Sequence, residues 1–223
     1  VPYDVDNAQG LDRWRRQYLL FCRASKKIHS THLLENLRNL GKGRVVPQGA
    51  FNEFDVLDLE HLPKGIIRIE FGAFFNCTAL ALKSLPKKLA NIEDLAFFGC
   101  SALALTSLPD NVMDIGYSTF ANCTALALTS LPDKIKTIDH RAFSGCSALA
   151  LTSLPKELSY IGQSAFQDCR SLALTSLPEK LATIGSSAFL NCSAIRITIP
   201  LRFRKNYTIG ADAFKGCPLV SFE

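Results

Sequence analysis

The chain has 223 residues, 25 Lys or Arg against 20 Asp or Glu, a formal net charge of +5, and 48% hydrophobic residues. That is enough apolar material for a continuous core. No apolar run reaches the ~18 residues of a membrane-spanning helix, and no charged-then-apolar leader with a small-residue cleavage site is visible after Val1. The charge is uneven: residues 1–44 carry Arg13, Arg15, Arg16, Arg23, Lys26, Lys27, Arg38, Lys42 and Arg44 against Asp4, Asp6, Asp12 and Glu35, so the whole excess lies there. Attraction to an anionic partner is expected from that segment.

In chain order, residues 1–44 read as helical. Leu11, Trp14, Tyr18, Phe21, Ser25 and Ile28 share one helical face. Thr31 is placed to cap a second helix carrying Leu33, Leu34, Leu37 and Leu40, with Gly41 as its stop. Two such helices would form a basic N-terminal cap. Arg16, Arg23 and Lys27 centre its polar face, and Leu19 and Leu20 interrupt the sides of that face. A cap buried on one side does not need them, which makes these five residues candidates for partner contact.

From residue 45 the chain repeats every 23 residues. Cys77, Cys100, Cys123, Cys146, Cys169 and Cys192 keep the interval and Cys217 follows, each three residues after a phenylalanine (Phe74 to Phe214). The unit is I-x-x-x-A-F-x-x-C-x-x-L-x-L-x-x-L-P-x-x-L-x-x, starting at Val46, Ile69, Ile92, Ile115, Ile138, Ile161, Ile184 and Ile209. A period of this size predicts about eight stacked supersecondary units, each burying its apolar face on its neighbours. L-A-L-T-S-L, as at 103–108, alternates apolar and small residues and reads as a strand ended by Pro109. A-F-x-x-C reads as one helical turn with Phe and Cys pointing inward. The expected fold is an α/β repeat solenoid, with a parallel sheet on one face, helical or irregular pieces on the other, and the helical cap in front.

The pattern A-F-x-x-C-x-x-L…L-P-x-x-L-x-x-I-G, as in Ala165-Phe166-Gln167-Asp168-Cys169…Leu177-Pro178-Glu179-Lys180-Leu181-Ala182-Thr183-Ile184-Gly185, resembles the BspA-like leucine-rich repeats over about residues 46–223. The resemblance implies a right-handed curved solenoid, no intrinsic catalysis, and roles in adhesion or protein binding. The N-terminal segment carries no such resemblance.

Eight cysteines invite a disulfide reading, but seven share one repeat column in which Phe54 stands one unit earlier. They are expected to be reduced, buried plugs. That favours a reducing intracellular compartment over secretion.

If the leucines point in, Ala81, Ala104, Ala127, Ala150 and Ala173 point out beside Thr106, Thr129, Thr152 and Thr175. This uniform strip is a candidate face for a repetitive target such as carbohydrate or ice. The columns after the proline and before A-F vary from unit to unit and form the rim. The last unit places Val220 and Phe222 where an apolar strand ends the sequence, a second candidate contact.

None of His29, His32, His61 and His140 has a partner at catalytic spacing; His29 and His32 stand three apart, a spacing that could bind a metal on a helix turn, but no third ligand is near, and Gly41-Lys42-Gly43-Arg44 is not a phosphate loop. No cofactor or metal is expected. Asn76, Asn122, Asn191 and Asn206 head glycosylation sequons, three of them within the A-F-x-x-C tetrad, where burial would make them incidental. The reading is a non-enzymatic protein-interaction scaffold, a subunit of a larger assembly. Its protein partners would meet the basic helix, the rim and the end rung. A peripheral anionic surface is an alternative for the helix, and nucleic acid is not expected.

Overall fold

The computed structural model describes residues 44–54, 59–199 and 208–222, with Phe222 described by its backbone alone. The chain divides into units 1–39 and 40–223. The first lies outside the described residues, and with it the expected helical cap, Arg16, Leu19, Leu20, Arg23 and Lys27.

The repeat's isoleucine, not its leucine segment, forms the hydrogen-bonded sheet. Strands of two residues recur once per repeat: β1 Val45–Val46, β2 Arg68–Ile69, β3 Asn91–Ile92, β4 Asp114–Ile115, β5 Thr137–Ile138, β6 Tyr160–Ile161, β7 Thr183–Ile184 and β9 Thr208–Ile209. They pair in parallel, β1-β2-β3 in one sheet and β4-β5-β6-β7-β9 in another. The register is one repeat, as in Ile138↔Ile161 and Ile161↔Ile184. Each strand buries its second residue, Val46 in β1 and isoleucine elsewhere, and turns the residue before it outward, apart from the less buried Ile209. The fold is a parallel β-solenoid of about seven turns.

The leucine segment was expected to be the strand, and in most repeats it is not. Ala127 N–H reaches Leu105 C=O at 3.1 Å, Ala150 reaches Leu128 at 3.2 Å, and Ala173 reaches Leu151 at 3.0 Å. That is about half of a parallel ladder. Only the last copies complete it, as β8 Arg196–Ile199 and β10 Leu219–Phe222, paired Ile197↔Val220. Composition explains the difference. Ile197, Thr198 and Ile199 are β-branched and suit a pleated strand, whereas Ala and Ser do not. The expected facing holds throughout: Leu103, Leu105, Leu126, Leu128, Leu149, Leu151, Leu172 and Leu174 are fully buried.

The tetrad is not a helical turn, and no helix occurs among the described residues. It is a run of tight turns whose N–H groups alternate between two kinds of acceptor. Ala73, Phe75 and Cys77 donate three residues back, to Glu70, Gly72 and Phe74; Gly72, Phe74 and Asn76 donate to Asp94, Ala96 and Phe98 of the next rung. The alternation needs positive φ twice per repeat. One such position directly precedes the cysteine: Asn76 (55°), Gly99 (71°), Asn122 (61°), Gly145 (77°), Asp168 (61°), Asn191 (62°), Gly216 (76°). Asn, Gly and Asp are the residues that tolerate this region. A left-handed residue at each end of the tetrad stops an α-helix from propagating.

The other positive-φ column holds Arg141, exposed at φ 54°. Its side chain gains nothing from burial and its backbone is strained. Arg141→Gly is therefore expected to stabilise the fold by about 0.5–1 kcal/mol, the strain relieved less the entropy glycine loses. A urea midpoint shifted downward would contradict that backbone geometry.

Candidate interaction surface

The core sorts the side chains into those that hold the stack and those left on the surface. Phe51, Phe74, Phe97, Phe120, Phe143, Phe166, Phe189 and Phe214 form one column of rings, with adjacent centroids 5.2–5.5 Å apart and planes within 9°. The seven cysteines beside them are free and buried, and they are more than plugs. Each thiol donates to the phenylalanine carbonyl of the preceding rung: Cys100 to Phe74 and Cys123 to Phe97 at 3.0 Å, Cys169 to Phe143 at 3.1 Å, Cys192 to Phe166 at 2.9 Å. The same Phe74 carbonyl accepts Cys77 N–H at 3.1 Å, so each lone pair is used. From Cys77 on, the column is filled by a side chain that is both apolar and a donor.

Burial raises every one of these thiols. Cys77 is pushed up to about 12, and Cys100, Cys123, Cys146, Cys169 and Cys192 lie well above the ordinary thiol range. Such thiols are protonated at neutral pH and are poor nucleophiles and metal ligands.

The sequons are also accounted for by structure. Asn122 and Asn191 are exposed, not buried with the tetrad, and supply the left-handed turn. Asn191 Nδ2 donates to Asp168 Oδ1 at 2.9 Å. Two residues on, Thr124 Oγ1 donates to Ser101 C=O at 3.3 Å, as Ser101 and Ser147 donate to their preceding rungs. The asparagine of one sequon and the threonine of another thus each serve a rung-to-rung contact.

Two surfaces remain. The first is the strip. Thr106, Thr129, Thr152 and Thr175 are exposed, Ala104 is exposed, and Ala127, Ala150 and Ala173 are half-buried. Ser107, Ser130, Ser153 and Ser176 extend the strip by a second hydroxyl column, readable in T-S-L-P but not singled out from sequence. Val220 is half-buried in β10; the Phe222 side chain lies outside the described residues.

The second surface is the rim on either side of the short strands. It differs from rung to rung: Arg68 pairs with Glu93 at 3.1 Å, Thr137 Oγ1 donates to Asp114, and His140 Nδ1 contacts Asp139 with Tyr160 6.3 Å away. The hydrogen bond from His140 holds the Asp139 carboxyl below its usual range. Burial pushes Asp94 up, opposed by the hydrogen bond from Tyr117 N–H and reinforced by the charges of Asp139 and Glu93. Lys83–Glu60 at 2.8 Å and Lys180–Glu157 at 2.6 Å are exposed pairs that decorate the surface more than they hold it. Among the described residues no cluster of His, Cys, Asp and Glu could hold a metal ion, and no helix is long and apolar enough to cross a membrane.

Two solved structures share this architecture. A leucine-rich repeat protein from Bacteroides ovatus matches with a TM-score of 0.56 at 19% identity, covering 80% of this chain and 58% of that one. Another, from Eubacterium ventriosum, matches with a TM-score of 0.53 at 28% identity, covering 70% and 42%. The T. pallidum Leucine Rich Repeat protein is 31% identical over 64% of this chain and 72% of that one, with a TM-score of 0.45. The chain spans less than two thirds of the length of the first two. No curated protein matches it. Residues 44–150 and 96–221 match the pattern described as BspA type Leucine rich repeat region (6 copies). The chain belongs to the BspA-type leucine-rich repeat family, whose repeats typically mediate protein or surface interaction.

Proposed function

We propose that the chain is a non-enzymatic scaffold that binds a protein partner through its variable rim, as one subunit of a larger assembly. The observation that supports this is the division of labour between columns. Cysteine and phenylalanine, the residues with chemistry or large apolar area, are spent on rung-to-rung contacts. The rim meanwhile presents a different polar residue on each rung: Asp94, Tyr117, His140, Gln163, Ser186. A rigid ladder carrying varied side chains at regular intervals suits recognition of a folded partner. The basic segment 1–44 is the proposed second contact, for an acidic partner or an anionic surface. Pull-down with the full chain, with residues 1–44 removed, and with Tyr117, His140 and Tyr160 together changed to Ala separates the two. Loss of the captured protein in the rim variant supports rim binding. Retention there with loss on truncation moves the function to the N-terminal segment.

A second reading rests on the exposed Thr/Ser/Ala strip, whose sameness suits a repetitive target. Measurable affinity for a polysaccharide or growth inhibition of ice, abolished by Thr129→Lys with Thr152→Lys, would favour it over the rim.

A further inference from the structure

Along the sheet side, one step of the ladder differs from the rest. Four repeats follow their strand isoleucine with glycine: Gly116, Gly162, Gly185 and Gly210. In three of them the glycine N–H bonds the preceding rung's isoleucine carbonyl at 2.8 Å: Gly162 to Ile138, Gly185 to Ile161, Gly210 to Ile184. Gly116 makes no such bond to Ile92, and Met113 N–H makes none to Ala90, although Lys136, Ser159 and Ala182 bond their preceding rungs at 2.9–3.2 Å. This is the step at which the sheet divides, β3 ending one sheet and β4 starting the next.

The residue facing the glycine from the preceding rung separates the cases. It is His140 for Gly162, Gln163 for Gly185 and Ser186 for Gly210, and in each the backbones approach closely: a Cβ on the glycine would lie 2.3–2.5 Å from that residue's backbone nitrogen. For Gly116 the facing residue is Asp94, and the near atom is its Oδ1, 2.2 Å from the same point. The carboxylate stands where the other rungs have backbone, and Oδ1 accepts Tyr117 N–H at 2.8 Å. The other sides of the rung are intact. Leu95, Phe97 and Gly99 N–H bond Tyr117, Thr119 and Ala121 at 2.8–3.0 Å, Ala127 bonds Leu105, and the Phe97 and Phe120 rings stack at 5.4 Å.

We propose that Asp94 is a wedge that parts the sheet at this one rung, giving the solenoid a hinge between Ile92 and Ile115. The hinge opens on the sheet side and pivots on the phenylalanine column and the turn ladder. Residues 59–112 and 115–199 then move as two stiff blocks about it. Met113, 56% exposed immediately before β4, sits at the mouth of the opening.

Residue-resolved amide exchange on the full chain tests the proposal. The Gly116 amide is expected to exchange about five- to tenfold faster than Gly162 and Gly185, the loss of one backbone bond. Asp94→Ser gives this rung the residue type that faces Gly210, Ser186, and is expected to bring Gly116 to the protection of Gly185. Equal protection of Gly116 and Gly162 in the unaltered chain overturns the proposal, as does a folded Asp94→Ser variant whose Gly116 stays fast. Should that variant not fold, the comparison within the unaltered chain decides.

Discussion

Raising the pH from 8 to 11 is expected to unfold the solenoid cooperatively, with release of about one proton per buried thiol. The thiols from Cys77 to Cys192 are raised by burial in the folded chain, Cys77 to about 12. In the unfolded chain they ionise near pH 8.5. Between those limits the folded state keeps protons that the unfolded state has lost, so stability is fully present below about pH 8.5 and falls as pH rises. Each thiol contributes a slope of about 1.4 kcal/mol per pH unit, and six together roughly 8 kcal/mol per unit. A domain's whole stability is about 5–15 kcal/mol, so a transition is expected within about one to two units of onset. Circular dichroism against pH, with thiolate absorbance followed in parallel, measures it. Replacing Cys123 and Cys146 by Ala should lessen the pH slope by about two protons, at some cost in stability at neutral pH. A melting temperature unchanged between pH 8 and 10.5 would show that the thiols titrate freely.

Phe143→Ala is expected to cost about 3–5 kcal/mol. The ring is fully buried between Phe120 and Phe166, each at 5.5 Å. Removing it leaves two rings facing a gap in the middle of the stack. Because every rung rests only on its neighbours, the loss is expected to weaken the surrounding rungs as well, lowering the denaturant midpoint and broadening the transition. A midpoint unchanged within error would mean the phenylalanine column is not the interior.

The parts of this architecture that were legible in the sequence are those written in side-chain polarity. The 23-residue period, the inward leucine pairs and the outward Ala and Thr columns all follow from which residues avoid water. The location of the sheet is a backbone property and leaves a fainter trace. L-A-L-T-S-L alternates like a strand, yet its Ala and Ser residues favour the extended pairing less than the lone β-branched isoleucine ahead of the tetrad. The turns could have been found. The residue before each repeat cysteine from Cys77 to Cys217 is Asn, Gly or Asp, a pattern that asks for positive φ and excludes the helical turn first expected. The donor role of cysteine could also have been suspected, since Val or Ala would fill an apolar plug without supplying a proton. The Asp94 wedge was not legible, because its effect depends on which residue of the next rung it faces.

The central claim is that phenylalanine and cysteine form one continuous interior. Native alkylation of the full chain at pH 7.5, read by mass spectrometry of the peptides, tests it most directly. The account predicts that none of the seven cysteines from Cys77 to Cys217 is modified until denaturant is added, after which all react. Rapid modification of several of them in the folded chain would contradict it.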